Sequence, residues 1–326
     1  MLKTLVRAAA PLAALALLAT APAASAEDWP NRPVHLIVPF APGGVTDIAA
    51  RVVGAKLTEI WGQQVVVENR PGAGGTIGVD AAVRSAPDGY TLLMATNGEI
   101  TINPALYKNL THDPQADLIP IAMVTNTPLL WAANVNAPYG SLVEFIAAAK
   151  AKPGDIAYSS PGAGTMNHLT AEWFAMITGT KLLHVPYKGG APAAAAIAGG
   201  EVPVSVLAVS SALPHVKSGK VKVLGMTTKD RTKLAPDWPS ASEAGIADFD
   251  ASIWVGLFAP KGTPADIVAK VAKDLKAALA DPAVVARLNT AGAEAAGIDG
   301  EAFLARIRAD TARYAKIIKA AGIEIN

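Results

Sequence analysis

Apolar positions in this chain fall into short continuous runs, separated by stretches where they recur every three or four places. The run at residues 34–40 contains Val34, Leu36, Ile37, Val38 and Phe40. A run this uniformly apolar predicts a strand covered by helices on both faces, as in a parallel sheet. Ala41-Pro42-Gly43-Gly44 interrupts it. Thr46 or Asp47 is then placed to cap a helix reaching about Trp61, with Ile48, Val52, Ala55 and Ile60 near one face. Residues 64–68 and 90–96 read as strands, with a short helix over 76–85 between them. This βαβαβ series is the half-unit of a doubly wound sheet.

After Asn103-Pro104 the pattern changes. Residues 119–135 hold two extended runs divided near Asn126-Thr127-Pro128, which predicts a crossing into a second lobe. A new series follows. Ser141 and Glu144 form a capping box for a helix to about Lys150. Strands are expected over 156–159, 181–185, 204–209 and 221–227, with helices from Thr165 to about Thr178 and over 191–198 and 211–218. An irregular return over 228–249 contains Pro236, Pro239 and Gly245. A strand over 253–258 rejoins the first sheet, and helices follow from Pro264 to about Leu279, over 282–291 and over 300–321. The expected architecture is α/β with two lobes, each holding its own doubly wound sheet flanked by helices. Residues 27–126 and 249–326 form a discontinuous lobe 1, and residues 127–248 form lobe 2. A cleft lies between them, because open α/β sheets bind ligands at strand-to-helix turns.

Composition narrows the class. The 326 residues are 51% hydrophobic and 17% charged, ample for a core and unlike a disordered chain. Lys3 and Arg7 precede an uncharged stretch over 8–26 that ends in Ala24-Ser25-Ala26. This reads as a secretory signal peptide cleaved after Ala26, which places the mature chain in the periplasm or outside the cell. Pro11 and Pro22 bracket an apolar run shorter than the ~20 residues a membrane span needs. With the leader removed, acidic side chains outnumber basic ones by one, so no footprint for nucleic acid remains. The absence of cysteine excludes disulfides, thiolate metal sites and cysteine nucleophiles.

Candidate chemistry concentrates in two loops. Gly43-Gly44-Val45-Thr46-Asp47 lies between a strand and a helix, where glycines admit a ligand to the backbone and the helix start offers unpaired N–H groups to an anion. Ser159-Ser160-Pro161-Gly162-Ala163-Gly164-Thr165 repeats the arrangement in the second lobe, with His168 on the first helical turn. Each loop alone could be an ordinary turn; two in opposed lobes point to anion capture. Gly72-Ala73-Gly74-Gly75-Thr76-Ile77 fails the dinucleotide pattern, and no glycine loop leads into G-K-[ST]. The histidines at 35, 112, 168, 184 and 215 are scattered, and neither a nucleophile elbow nor a zincin motif occurs. No cofactor and no metal are expected; a Ser/His/Asp constellation remains open, since geometry rather than spacing defines it.

The ordered series Pro39-Phe40-Ala41-Pro42-Gly43-Gly44, Glu68-Asn69-Arg70-Pro71-Gly72-Ala73-Gly74-Gly75, Ala86-Pro87-Asp88-Gly89-Tyr90 and Ile102-Asn103-Pro104-Ala105-Leu106-Tyr107 resembles the Bug-type periplasmic receptors of tripartite tricarboxylate transporters. Val185-Pro186-Tyr187-Lys188-Gly189 and Ala259-Pro260-Lys261-Gly262-Thr263-Pro264 extend the likeness over the mature chain. The resemblance implies a Venus-flytrap periplasmic binding protein fold and no catalysis. It implies a dicarboxylate, tricarboxylate or aromatic carboxylate as ligand, and a monomer that delivers it to the large and small permease subunits. One carboxylate is then gripped by Gly43 to Asp47 and by Ser159 to Thr165, with His168 just behind. Val45, Asn97, Thr101, Tyr187 and Ala208 are candidates for the ligand's other end. The chain departs from the family's usual pattern at Asn97-Gly98-Glu99, at Pro203 and at Leu207-Ala208. If Leu207 lines the pocket, its wall is dry, favouring carboxylates with plain aliphatic or aromatic bodies over amino acids. Otherwise Leu207 belongs to the lobe core. The alternatives to transport are a ligand-binding sensor subunit and a secreted hydrolase using Ser160 and His168.

Overall fold

The structure, a computed structural model, describes residues 29–247 and 249–324. The leader and its cleavage motif lie outside them. In the first lobe, β1 (Val34–Val38) pairs in parallel with β2 (Val65–Asn69) on one side and β3 (Thr91–Thr96) on the other. The central position of β1 explains its apolar run: Val34, Leu36, Ile37 and Val38 are all buried. Helix α1 (Val45–Trp61) turns Ala49, Ala50, Val53 and Leu57 into this core and stops at Gly62, whose left-handed φ of 66° lets its N–H reach the Thr58 carbonyl. Its N-cap is Gly44 rather than Thr46 or Asp47. Asp47 instead sits a turn inside and reaches back to the Gly43 N–H at 2.9 Å, the acceptor half of a capping box. Helix α2 (Thr76–Val83) links β2 to β3.

Strand β4 (Leu118–Asn134) is continuous over 17 residues, where the sequence suggested two runs. Its first part pairs antiparallel with β9 (Ser252–Pro260), down to Pro128 opposite Ser252. From Leu129 onward it pairs with β7 (Val204–Ala208) and β8 (Val221–Met226). One strand therefore belongs to both sheets, and Pro128, which has no N–H to give a ladder, sits where the partner changes. The overall order is β2-β1-β3-β9-β4-β7-β5-β6, with β8 and β10 also on β4. The second lobe adds β5 (Ala157–Ser160) and β6 (Leu183–Pro186), with helices α3 (Leu142–Ala151), α4 (Met166–Thr178), α5 (Gly190–Gly199) and α6 (Val209–Lys217). The Ser141 cap and the Glu144 return bond to the Gly140 N–H form as the sequence suggests.

The chain returns to the first sheet beside the same point. The Thr227 hydroxyl lies within hydrogen-bond distance of the carbonyls of Leu129 (3.0 Å) and Ala251 (2.7 Å), clamping the two crossing segments together. Helices α7 (Ala265–Ala280) and α8 (Pro282–Thr290) cover the first sheet. Strand β10 (Glu294–Asp299) has no counterpart in the hydrophobic pattern. It pairs only with β4 and is half-exposed, so it needs no apolar face. The last helix, α9 (Gly300–Ala321), spans both lobes. Phe303 and Ile307 pack with Trp254 and Phe258 of the first lobe, whereas Tyr314, Ile317 and Ile318 join Trp131, Phe145 and Phe174 of the second. Gly256 makes room for this crossing: a Cβ there would lie 2.4 Å from the Phe303 ring.

Candidate functional site

A cavity of about 630 Å³ lies between the lobes and is lined from both. The amino ends of two helices border it. Gly44, Val45 and Thr46 line it at the start of α1, and Thr165, Met166 and Asn167 at the start of α4. The first intrahelical bonds are Ile48 N–H to Gly44 O and Leu169 N–H to Thr165 O. The N–H groups ahead of these have no partner within the helix, so each helix presents donors and the positive end of its dipole. Among the described residues the Thr46 hydroxyl, though nearly buried, has no hydrogen-bond partner and is free for a ligand.

Each loop is braced from behind. In the first lobe the Asp47 carboxylate, 2% exposed, receives Gly43 N–H, Arg51 Nε (3.1 Å) and Asn69 Nδ2 (2.9 Å). Burial acts to raise its pKa, but hydrogen bonds from Arg51, Gly43 and Asn69 outweigh that and hold it below its ordinary value. In the second lobe the brace is neutral. The Thr165 hydroxyl donates to Gly162 O (2.7 Å) and accepts from His168 N–H. His168 Nδ1 accepts the Gly164 N–H (3.0 Å), which places the ring proton on Nε2, facing Glu172 at 3.8 Å. The His184 ring stacks on His168 at 3.8 Å, and its Nε2 bonds the Ser160 hydroxyl at 2.6 Å. Burial, joined for His168 by its neighbour His184, lowers these imidazoles to about 3 and about 4.

Of the residues singled out from sequence, Gly44, Val45, Thr46, Asn97, Ala163, Gly164, Thr165 and Ala208 line the cavity. Gly43, Asp47, Ser159, Ser160, Gly162 and His168 do not; they shape the two loops from behind. Ser159 is buried in the sheet, its hydroxyl on the Ala193 carbonyl. Thr101 is also buried and spends its hydroxyl on the Asn97 carbonyl, and the Tyr187 hydroxyl bonds Glu201. Leu207 is 1% exposed within the core formed with Ala193 and Ile197, so of that pair only Ala208 meets the cavity. The Ser160 hydroxyl pairs with His184, not with His168, and behind the loop rather than in the cavity.

Glu99, Asn103, Tyr107, Asn167 and Ser211 also line the cavity and were not among the sequence candidates. Glu99 could have been found, because Thr96-x-x-Glu99 is a capping box. Its carboxylate accepts the Thr96 N–H (2.7 Å) and hydroxyl (2.9 Å) at the start of the π-turn Gly98–Ile102. Asn97 in the same turn donates to the Ser252 carbonyl (2.9 Å) and so ties the cavity wall to the return crossing.

Two α/β lobes sharing one strand, with opposed helix ends on the cavity between them, define a solute-binding protein of the flytrap class. The chain belongs to the tripartite tricarboxylate transporter family receptors, whose model matches residues 49–323. It is 35% identical over 302 residues to Protein BugT of Bordetella pertussis, covering 92% of this chain and 93% of that one. Among solved structures, R. palustris Rpa4515 with adipate superposes with a TM-score of 0.79 at 32% identity, covering 91% of this chain and 99% of that one. MatC from Rhodopseudomonas palustris with bound malate gives 0.75 at 31%, covering 89% and 100%.

Proposed function

We propose that this chain is an exported receptor that captures a small organic carboxylate between its lobes and delivers it to the large and small permease subunits of a tripartite tricarboxylate-type transporter. It acts in the periplasm as a monomer, after cleavage behind Ala26, without catalysis. In this reading lobe 1 comprises residues 27–126 and 249–326, and lobe 2 residues 127–248. The observation that carries it is the convergence of two helix amino ends, one from each lobe, on a single cavity. An anion held from both sides binds the closed form better than the open one, and that difference drives closure. Relatives solved with adipate and malate support the ligand class. The position of Ser160 and His184 behind the loop favours binding over hydrolysis.

The ligand-binding residues are then Gly44, Val45, Thr46, Asn97, Ala163, Gly164, Thr165 and Ala208, with Asp47, Ser160 and His168 positioning the two loops. A thermal-shift series over small carboxylates tests this, since a ligand at 100 times its Kd adds about 2.7 kcal/mol of stability. A carboxylate that raises the melting temperature and shrinks the radius of gyration supports the proposal. Stabilisation by neutral solutes alone refutes it. Co-purification with the permease subunits separates delivery from a sensor role.

A further inference from the structure

Among the described residues, Glu99 is the charged side chain lining the cavity, and no lysine, arginine or histidine lines it. The cations nearest in sequence to the first-lobe loops are committed elsewhere: Arg51 to Asp47 and Asn69, Arg70 to Glu68. Both capping bonds from Thr96 go to one oxygen of Glu99, Oε2. Among the described residues no other residue donates to Oε1, although the carboxylate also accepts from its own backbone N–H; Oε1 lies against Gly75, where a Cβ would sit 3.1 Å from it. The neighbouring Gly74 lines the cavity.

The two helix ends satisfy one carboxylate. A second carboxylate placed beside Glu99 meets a like charge, which disfavours ionisation of one of the two, with no basic side chain among the described lining residues to offset it. A ligand N–H, O–H or ammonium instead meets a carboxylate acceptor. We infer that Glu99 sets the ligand class, selecting a monocarboxylate whose other polar group is a hydrogen-bond donor over a dicarboxylate. This rests on reading the cavity as a carboxylate site.

Burial pushes the Glu99 carboxyl up to about 7, against the opposing hydrogen bonds from Thr96 and from its own backbone N–H. The charged groups on the packed C-terminal helix are paired away from it: Asp310 takes Arg306, Arg313 and the Trp254 indole N–H. Tyr314 on that helix neighbours Asn97, and the Tyr107 phenol lines the same cavity. Ligand preference therefore depends on pH with opposite signs. A dicarboxylate needs Glu99 protonated and binds more weakly as pH rises through 7, whereas an ammonium-bearing monocarboxylate binds more tightly over the same interval.

The test is calorimetric titration of the mature chain at pH 6 and pH 8 with two matched pairs, adipate against 6-aminohexanoate and terephthalate against 4-hydroxybenzoate. 6-Aminohexanoate, terephthalate and 4-hydroxybenzoate essentially keep their charge over that interval; the second carboxyl of adipate titrates just below it, so adipate affinities are referred to the dianion at each pH. The donor-bearing member of a pair should bind at least tenfold tighter at pH 8, and the gap should narrow at pH 6. In Glu99→Gln, whose amide oxygen can keep the Thr96 bonds, the ratio should shift at least tenfold toward the dicarboxylate and lose its pH dependence. A wild-type preference for the dicarboxylate at pH 8, or the same ratio in both proteins, overturns the inference while leaving the carboxylate reading intact. If Glu99→Gln does not fold, the wild-type pH dependence decides alone. If no probe binds either protein, the carboxylate reading falls and this inference with it.

Discussion

The two loops facing the cavity present the same thing to it, a helix amino end, yet are held by opposite means. The first is braced by charge: one buried carboxylate gathers Gly43, Arg51 and Asn69. The second is braced by neutral groups, with Thr165 and the His168–His184 stack doing the corresponding work. A buried carboxylate that gathers several donors fails when it is removed, because those donors lose their acceptor. A buried neutral imidazole fails when it gains a proton. The loops are therefore equivalent in geometry and different in what destroys them.

Four experiments press on that difference. Asp47→Ala should have the largest effect, costing about 1–3 kcal/mol in urea unfolding, because it strands the Gly43 and Asn69 donors around an unbraced loop. A loss below about 1 kcal/mol would show that the charge is dispensable. Acid comes next. His168 and His184 titrate at about 3 and about 4 in the folded chain against 6.5 unfolded. Between these values the unfolded state binds more protons, so their contribution is complete above pH 6.5 and is lost as pH falls toward 4. Glu99, raised from 4.5 to about 7, acts in the opposite sense, so the informative comparison is between variants. His184→Phe keeps the stacking surface and should flatten the melting curve against pH; an unchanged slope would remove the histidines from the account. Thr165→Ala removes an N-cap and should cost about 1 kcal/mol in the same unfolding assay. Arg51→Ala is the mildest. Its side chain is 49% exposed, so the loss should be about 0.5 kcal/mol with ligand affinity nearly unchanged. Abolished binding in this variant would mean that arginine, not the helix end, holds the ligand.

Much of this arrangement was written locally. Buried parallel strands such as β1 announce themselves by composition, and the two glycine loops by the backbone freedom they require. The Thr165 cap followed from its place ahead of an apolar-periodic stretch. What could not be read is long-range or depends on direction. The continuity of β4 through Pro128 needs partners from two sheets. Strand β10 is held by pairing on an edge, which leaves no apolar trace. Spacing put Asp47 and Thr46 on the same loop, but only the fold turns Asp47 inward to the Gly43 amide and Thr46 toward the cavity. Leu207 and Ala208 are neighbours on a strand and face opposite sides of the sheet, so only one of them could reach a ligand.

The last helix constrains how such a molecule moves. Two adjacent crossing segments, clamped at Thr227, leave lobes free both to bend toward each other and to twist about the crossing. A stiff rod rooted in one core through Phe303 and Ile307, and in the other through Tyr314 and Ile317, resists the twist, because twisting would shear packed side chains at both ends. What remains is rotation about a single axis roughly set by the crossing. In the proposed capture cycle, opening and closing then trace one coordinate rather than two, and the two helix ends would meet the same atoms of a ligand at each closure. Distance measurements between paired labels on the two lobes should accordingly change together along one line, and should scatter once Tyr314 and Ile317 are replaced by alanine.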